Sequence, residues 1–191
     1  MNINGQKSIQ YAEIKNKKEG LIVGFTAGNF DLIHYGYTVT FEEAKRHCDK
    51  FIVFLQEDPS QTRRTKYKPV IPYYERYKTL MSIRYIDEVH CYQTEEDLLD
   101  LINFFKPDVR ILGEDYIGRG FTGDNLPIET IYTTRSHEWS TTKLKNRITA
   151  MTVCENPELL ELINIKDIKN NNFKSIEWTI KFLHFTIIGP M

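Results

Sequence analysis

The sequence predicts an α/β fold: a five-stranded parallel sheet covered by helices on both faces, in a Rossmann-like three-layer αβα arrangement, followed by a C-terminal helical and apolar tail. Three observations carry that expectation. Short apolar runs alternate with stretches of helical period across residues 21–150. Each run is apolar throughout rather than at every second residue, as a strand buried on both faces requires. Polar, glycine-bearing segments follow the strands, at the end of such a sheet where ligands bind.

In chain order, residues 1–20 form a polar, lysine-rich leader without an apolar stretch, unlike a secretory signal. LIVGFT, Leu21–Thr26, reads as the first strand, closely followed by Gly28. Across Val39–Cys48, Val39, Phe41, Ala44 and Cys48 can share a helical face while Glu42, Glu43, Lys45 and Arg46 stay in water. Phe51–Gln56 is the second strand. The polar, basic EDPSQTRRTKYKP after it is too irregular for an element and reads as a mobile loop. Pro72 suits the first turn of a helix through YYERYKTLMSI. Asp87–Tyr92 is the third strand, and Glu95–Phe105 an amphipathic helix stopped by Pro107. Val109–Gly113 and Glu129–Thr133 complete the sheet, and Ser140 can cap a helix running to Thr149. Residues 21–150 thus make one domain. Residues 151–191 are an extension, with a helix start at Asn156-Pro157-Glu158 and the apolar IEWTIKFLHFTIIGPM, expected to pack on the domain or across a dimer contact. His184 within it reads as a packing residue.

The 191 residues are 41% hydrophobic, enough for one domain with a real core. A net charge of −1 supplies no basic field for nucleic acid, so any anionic ligand must be held by local groups. Three cysteines without CxxC spacing argue against zinc and against a disulfide framework; all three are expected as buried thiols in a reducing cytoplasm. No apolar run approaches the ~20 residues that span a bilayer, so no membrane partner is expected.

Between the first strand and the first helix lies TAGNFDLIHYGY, Thr26–Tyr37. Gly28 lets backbone approach a phosphate closely, and the helix that follows directs its amides and positive dipole end at an anion. Alone, His34 reads as a strand-end histidine satisfied by a backbone carbonyl, and Asp31 either as a turn residue capping the loop or as one that orients the site. Taken with later segments, the stretch resembles the cytidylyltransferase family, specifically its glycerol-3-phosphate cytidylyltransferase-like members. GNFDLIHYG stands for that family's GTFDxxHxG, and a loop carries Lys66 and Lys68. YYERYKTLMSIRYIDEV, ILGEDY and RSHEWSTTKLK follow in the family's order, so that the resemblance runs from about Leu21 to Ile148.

The resemblance implies transfer of CMP from CTP to a small phosphorylated alcohol, glycerol 3-phosphate being the model, with Mg²⁺ accompanying the nucleotide and a homodimer as the assembly. Such chemistry needs alignment and charge neutralisation rather than a covalent nucleophile. His34, Lys66, Lys68 and Tyr37 take the catalytic positions. Ala27, Gly28, Asn29, Phe30, Asp31, Gly36, Gly113, Asp115, Arg135, Ser140 and Thr141 take the nucleotide-binding ones, and Arg76 meets the acceptor phosphate. No metal ligand is assigned, although Asp31 could approach the ion. Blander readings stand beside these: a solvated charge run for Arg63, Arg64, Lys66 and Lys68, a surface Arg76 paired with Glu75 or Asp87, and a plain N-cap Ser140 with a surface Arg135. His137 is expected toward solvent or the second substrate, and GRGFTGD as a flap over the acceptor. Tyr37 stands where the family has a second histidine; losing one transition-state donor costs ~3 kcal/mol, which predicts a slower enzyme. Two alternatives remain open: a degenerate nucleotide-binding protein, and an adenylyl-transferring relative, because GNFD also resembles the turn of FAD-synthetase-like proteins.

Overall fold

The computed structural model describes residues 20–134 and 139–155. The elements run β1 (Val23–Gly28), α1 (Tyr35–Arg46), β2 (Lys50–Gln56), α2 (Tyr73–Met81), β3 (Glu88–Tyr92), α3 (Glu95–Phe105), β4 (Val109–Gly113), β5 (Glu129–Thr133) and α4 (Thr141–Glu155), with 3₁₀ turns at Pro59–Gln61 and Glu114–Tyr116. All five strands are parallel, in the order β3-β2-β1-β4-β5. Order therefore reverses between β1 and β4, and their carboxyl ends border the crevice where this architecture holds ligands.

Alternation along β2 explains the two covered faces. Phe51, Val53 and Leu55 pack with Phe41 and Ala44 of α1 and Leu80 of α2. Ile52 and Phe54 face the other way, onto Leu98, Leu101 and Ile102 of α3. The expected three-layer αβα sandwich is thus present, and the segments following β1, β2 and β4 meet along its carboxyl rim. Among the described residues no helix is long and apolar enough to cross a membrane.

Several expectations need correction. Helix α1 begins at Tyr35, four residues before Val39, because His34 caps it. The stretch after β2 is no featureless loop: Asp58 accepts from the Ser60 amide at 3.0 Å and caps a 3₁₀ turn, and the segment's far end is tied to Asp31. Only Cys48 is a buried thiol. Cys91 is exposed on β3, which lies at the sheet's edge, and Cys154 is exposed near the end of α4. The leader up to residue 19, Arg135, His137 and His184, with most of the C-terminal extension, lie outside the described residues.

Candidate active site

The turn after β1 is built under strain. Phe30 (φ 44°) and Leu32 (φ 51°) both adopt left-handed backbone, which costs a side-chain-bearing residue about 1–2 kcal/mol. Neighbouring elements hold the turn in place. The Phe30 ring is buried against Phe41 and Tyr37, at centroid distances of 5.7 and 5.6 Å. Asp31 is almost fully buried; its carboxylate accepts from the amides of Val70 (3.1 Å) and Ile71 (3.0 Å) and from the Lys145 ammonium (2.8 Å). Burial alone would raise the Asp31 pKa, but Lys145 and the two amides outweigh it and hold the carboxyl below its ordinary value. From below, Arg76 donates to the carbonyls of Asn29 (2.5 Å), Gln56 (2.9 Å) and Ile71 (2.9 Å), and to that of Glu57. Strain retained by surrounding structure in this way marks a functional turn more often than an idle one.

His34 is the N-cap of α1, its Nδ1 accepting from the Gly36 amide at 3.1 Å. An accepting Nδ1 carries no proton, so the neutral ring is the tautomer with its donor at Nε2. The imidazole stacks on Tyr37 with centroids 4.6 Å apart, and Trp139 lies 6.2 Å beyond. The Tyr37 hydroxyl meets Thr141 Oγ1 at 3.3 Å, and Thr141 Oγ1 donates to the Asp31 carbonyl at 3.2 Å. Since a carbonyl only accepts, the phenol donates and the chain runs Tyr37 to Thr141 to Asp31. Ser140 caps α4, its Oγ accepting from the Lys143 amide at 3.2 Å. The starts of α1 and α4 are thereby tied together, two positive dipole ends at one place, with Lys145 a turn further along α4.

Beside this junction opens a cavity of about 400 Å³, a size usual for small-molecule sites. Ala27, Gly28, Asn29 and Lys66 line it, together with Arg63, Glu95 and Arg110. A Cβ built on Gly28 would meet only the Phe30 ring, at 3.4 Å, so close backbone approach from the cavity is what the glycine provides.

The expected site residues therefore divide. Asp31, His34, Gly36, Tyr37, Ser140 and Thr141 gather at the helix junction, and Ala27, Gly28, Asn29 and Lys66 along the cavity. Lys68 is exposed and outside the cavity wall, close enough to Asp58 to help depress its pKa, chiefly after the Ser60 hydroxyl. Asp115 is exposed on the second 3₁₀ turn, and Gly113 only caps that turn. Phe30 offers no side chain to a nucleotide, because its ring belongs to the core. Arg76 is neither the surface arginine nor an open acceptor contact: 2% exposed, it spends its guanidinium on backbone carbonyls. Two residues escaped notice. Lys145 was visible only as the second lysine of TTKLK, one turn beyond Thr141. Arg110 carried a clear signal: an arginine inside the otherwise apolar VRILG of a strand that must be buried.

A family model described as cytidylyltransferase-like matches residues 25–149, most of the chain and every element from β1 into α4. The chain belongs to the cytidylyltransferase-like family. It is 41% identical over 101 residues to the bifunctional protein HldE of Gluconacetobacter diazotrophicus, covering 52% of this chain and 21% of that one. It is 33% identical over 156 residues to HldE of Campylobacter jejuni strain RM1221, covering 76% and 34%. The chain thus spans about a third or less of these curated relatives' length. Among solved structures, the lipopolysaccharide core biosynthesis protein of Thermoplasma volcanium aligns with a TM-score of 0.49 at 22% identity, covering 60% of this chain and 96% of that one. For a cytidylyltransferase-like nucleotidyltransferase, the junction of α1 and α4 and the adjoining cavity are the places to look for the two substrates.

Proposed function

We propose that this chain transfers CMP from CTP to the phosphate of a small phosphorylated alcohol, the class of which glycerol 3-phosphate is the simplest member. An acceptor phosphate oxygen bonds to the α-phosphorus as the bond to the β-phosphate oxygen breaks, and pyrophosphate leaves with that electron pair. The observation that carries the reading is the meeting of two capped helix N-termini at His34 and Thr141, beside a cavity lined by Lys66. The helix ends favour the triphosphate. The Nε2–H of His34 donates to a non-bridging α-phosphate oxygen as charge grows there, and Lys66 neutralises the incoming phosphate or the leaving pyrophosphate.

The residues at hand do not fit a protein-held Mg²⁺. Both Asp31 oxygens are committed to two amides and Lys145, and no group of three or more His, Cys, Asp or Glu is disposed to hold a metal among the described residues. The cation is assigned to the nucleotide's own phosphates, as is common for Mg²⁺, and no step is routed through it.

One observation favours a second donor: the GNFD turn also resembles that of FAD-synthetase-like proteins, so adenylyl transfer is the competing reading. Pyrophosphate release with CTP and with ATP, each with and without glycerol 3-phosphate, decides between them. His34→Ala is expected to lower turnover about 100-fold, the effect of one lost transition-state donor, and Tyr37→His to raise it. Nucleotide binding without pyrophosphate from any acceptor would leave a non-catalytic nucleotide binder.

A further inference from the structure

Arg110 enters β4 on the face covered by α3, with Phe25 as its neighbour on β1, where the strand pattern calls for an apolar side chain. It is 5% exposed and lines the cavity. Its guanidinium lies between the rings of Phe25 (5.1 Å) and Phe121 (4.5 Å) and donates to the Thr122 carbonyl. Among the described residues no carboxylate is bonded to it, and its Nε has no hydrogen-bond partner. A buried charge held only by two rings and one carbonyl costs stability, and that cost is retained where a ligand recovers it.

The surroundings say what kind of ligand. Arg63, Lys66 and Arg110 face a single carboxylate, Glu95, so the cavity favours an anion. Glu95 opens α3 and is bonded to both Arg63 and the Thr122 hydroxyl. Burial pushes its pKa up, but those two bonds and the charges of Arg63 and Arg110 hold the carboxyl below its ordinary value. It is therefore an ionised acceptor for hydroxyl groups, one of which, that of Thr122, it already holds. Gln56 and the phenols of Tyr92 and Tyr116 add further polar wall. Phe121 and Thr122, which cover Arg110, sit between Gly118 (φ 76°) and Gly123 (φ 79°), left-handed positions that glycine takes without strain.

We propose that this cavity is the acceptor pocket, and that Arg110 and Glu95 make it specific for a polyhydroxylated phosphorylated acceptor rather than a three-carbon one. The phosphate sits against Gly28, Asn29 and Lys66. The hydroxylated body reaches inward, Glu95 accepts from its hydroxyls in place of Thr122, and Arg110 donates to its oxygens. This rests on the nucleotidyl-transfer reading above and adds the acceptor's class and the residues that choose it.

The test uses the full chain with CTP and with ATP, and three acceptors: glycerol 3-phosphate, ribose 5-phosphate and glucose 1-phosphate. Pyrophosphate release gives kcat and KM, and fluorescence of Trp139, beside His34, gives nucleotide binding. A sugar phosphate is expected to exceed glycerol 3-phosphate in kcat/KM at least tenfold. Arg110→Met should raise the sugar-phosphate KM at least tenfold and by a clearly larger factor than the glycerol 3-phosphate KM, leave the nucleotide Kd within twofold, and recover partly as Arg110→Lys. If Arg110→Met does not fold, Glu95→Gln must produce the same split. A preference for glycerol 3-phosphate, or an equal KM change for every acceptor, overturns the assignment while leaving nucleotidyl transfer standing. Absence of pyrophosphate with every donor and acceptor overturns both.

Discussion

Replacing Arg76 by methionine separates two roles for one residue, acceptor contact and scaffold. The guanidinium makes four hydrogen bonds, to the carbonyls of Asn29, Gln56, Glu57 and Ile71, so one side chain joins the ends of β1 and β2 to the segment before α2. Hydrogen bonds from a charged donor contribute about 1.5–3 kcal/mol each, but bonds sharing one group do not add. The methionine variant leaves all four carbonyls without this donor in a region that is 2% exposed at Arg76, and breaking such a buried charged cluster costs about 3–5 kcal/mol. For a chain of this size each kcal/mol lowers Tm by about 2–4 °C, so a fall on the order of 10 °C is expected. A lysine has one ammonium and cannot span carbonyls on three segments, so Arg76→Lys should recover little of it. Thermal unfolding followed by circular dichroism, with pyrophosphate release on the same samples, reads both quantities. A variant that melts within about 2 °C of the parent yet raises the acceptor KM thirtyfold would refute the scaffold assignment and restore Arg76 to the acceptor.

Three further outcomes follow from the site. Asp31→Asn should cost about 2 kcal/mol at pH 7, mainly through its two amide bonds, because the Lys145 partner is 38% exposed and a pair so solvated contributes little. Since the folded Asp31 pKa lies below its ordinary value, that stabilisation is present above about pH 4 and fades as pH falls through the folded value, so parent and variant should converge in acid denaturant titrations. Tyr37→Phe removes the bond to Thr141 and should cost about 1 kcal/mol while lowering kcat less than tenfold; a 100-fold fall in kcat would instead mean that the phenol donates to phosphate. Lys66→Met should lower kcat/KM at least tenfold and Lys68→Met less than threefold, since only Lys66 lines the cavity; equal effects in steady-state assays would refute that division.

What was legible in the sequence was whatever depends on local pattern. Val109–Gly113, Glu129–Thr133 and Glu95–Phe105 have the bounds their apolar runs and flanking residues imply. The first turn of α1 was not legible, because YGYT has no apolar period and its start depends on a histidine cap, a rarer signal than serine or aspartate. Arg76 looked like a surface residue because Glu75, Tyr77 and Lys78 around it are polar; only tertiary structure places it under three loops. Asp31 and Lys145 are 114 positions apart, and no spacing rule pairs residues at that distance. Arg110 differs, since a charge inside a buried strand contradicts its own local pattern, and such contradictions point to function.

The exchange of histidine for Tyr37 acquires a physical meaning from these contacts. A histidine at that position would present a donor, and at lower pH a charge, to the triphosphate. The phenol instead spends its proton on Thr141 and its ring on Phe30, Phe41 and His34. It thereby fixes α1 to α4 and holds the His34 imidazole against a flat face, with Nδ1 bound to Gly36 and Nε2 as the donor. One electrostatic contribution is exchanged for alignment of another, and alignment is what in-line phosphoryl chemistry most needs. On the proposed reading the burden of charge then moves to the helix ends, which face the nucleotide, and to Lys66 and the arginines of the cavity, which face the acceptor. A site organised so should depend more steeply on which acceptor fills the cavity than one carrying both histidines, because part of its cationic field is engaged only when that pocket is occupied.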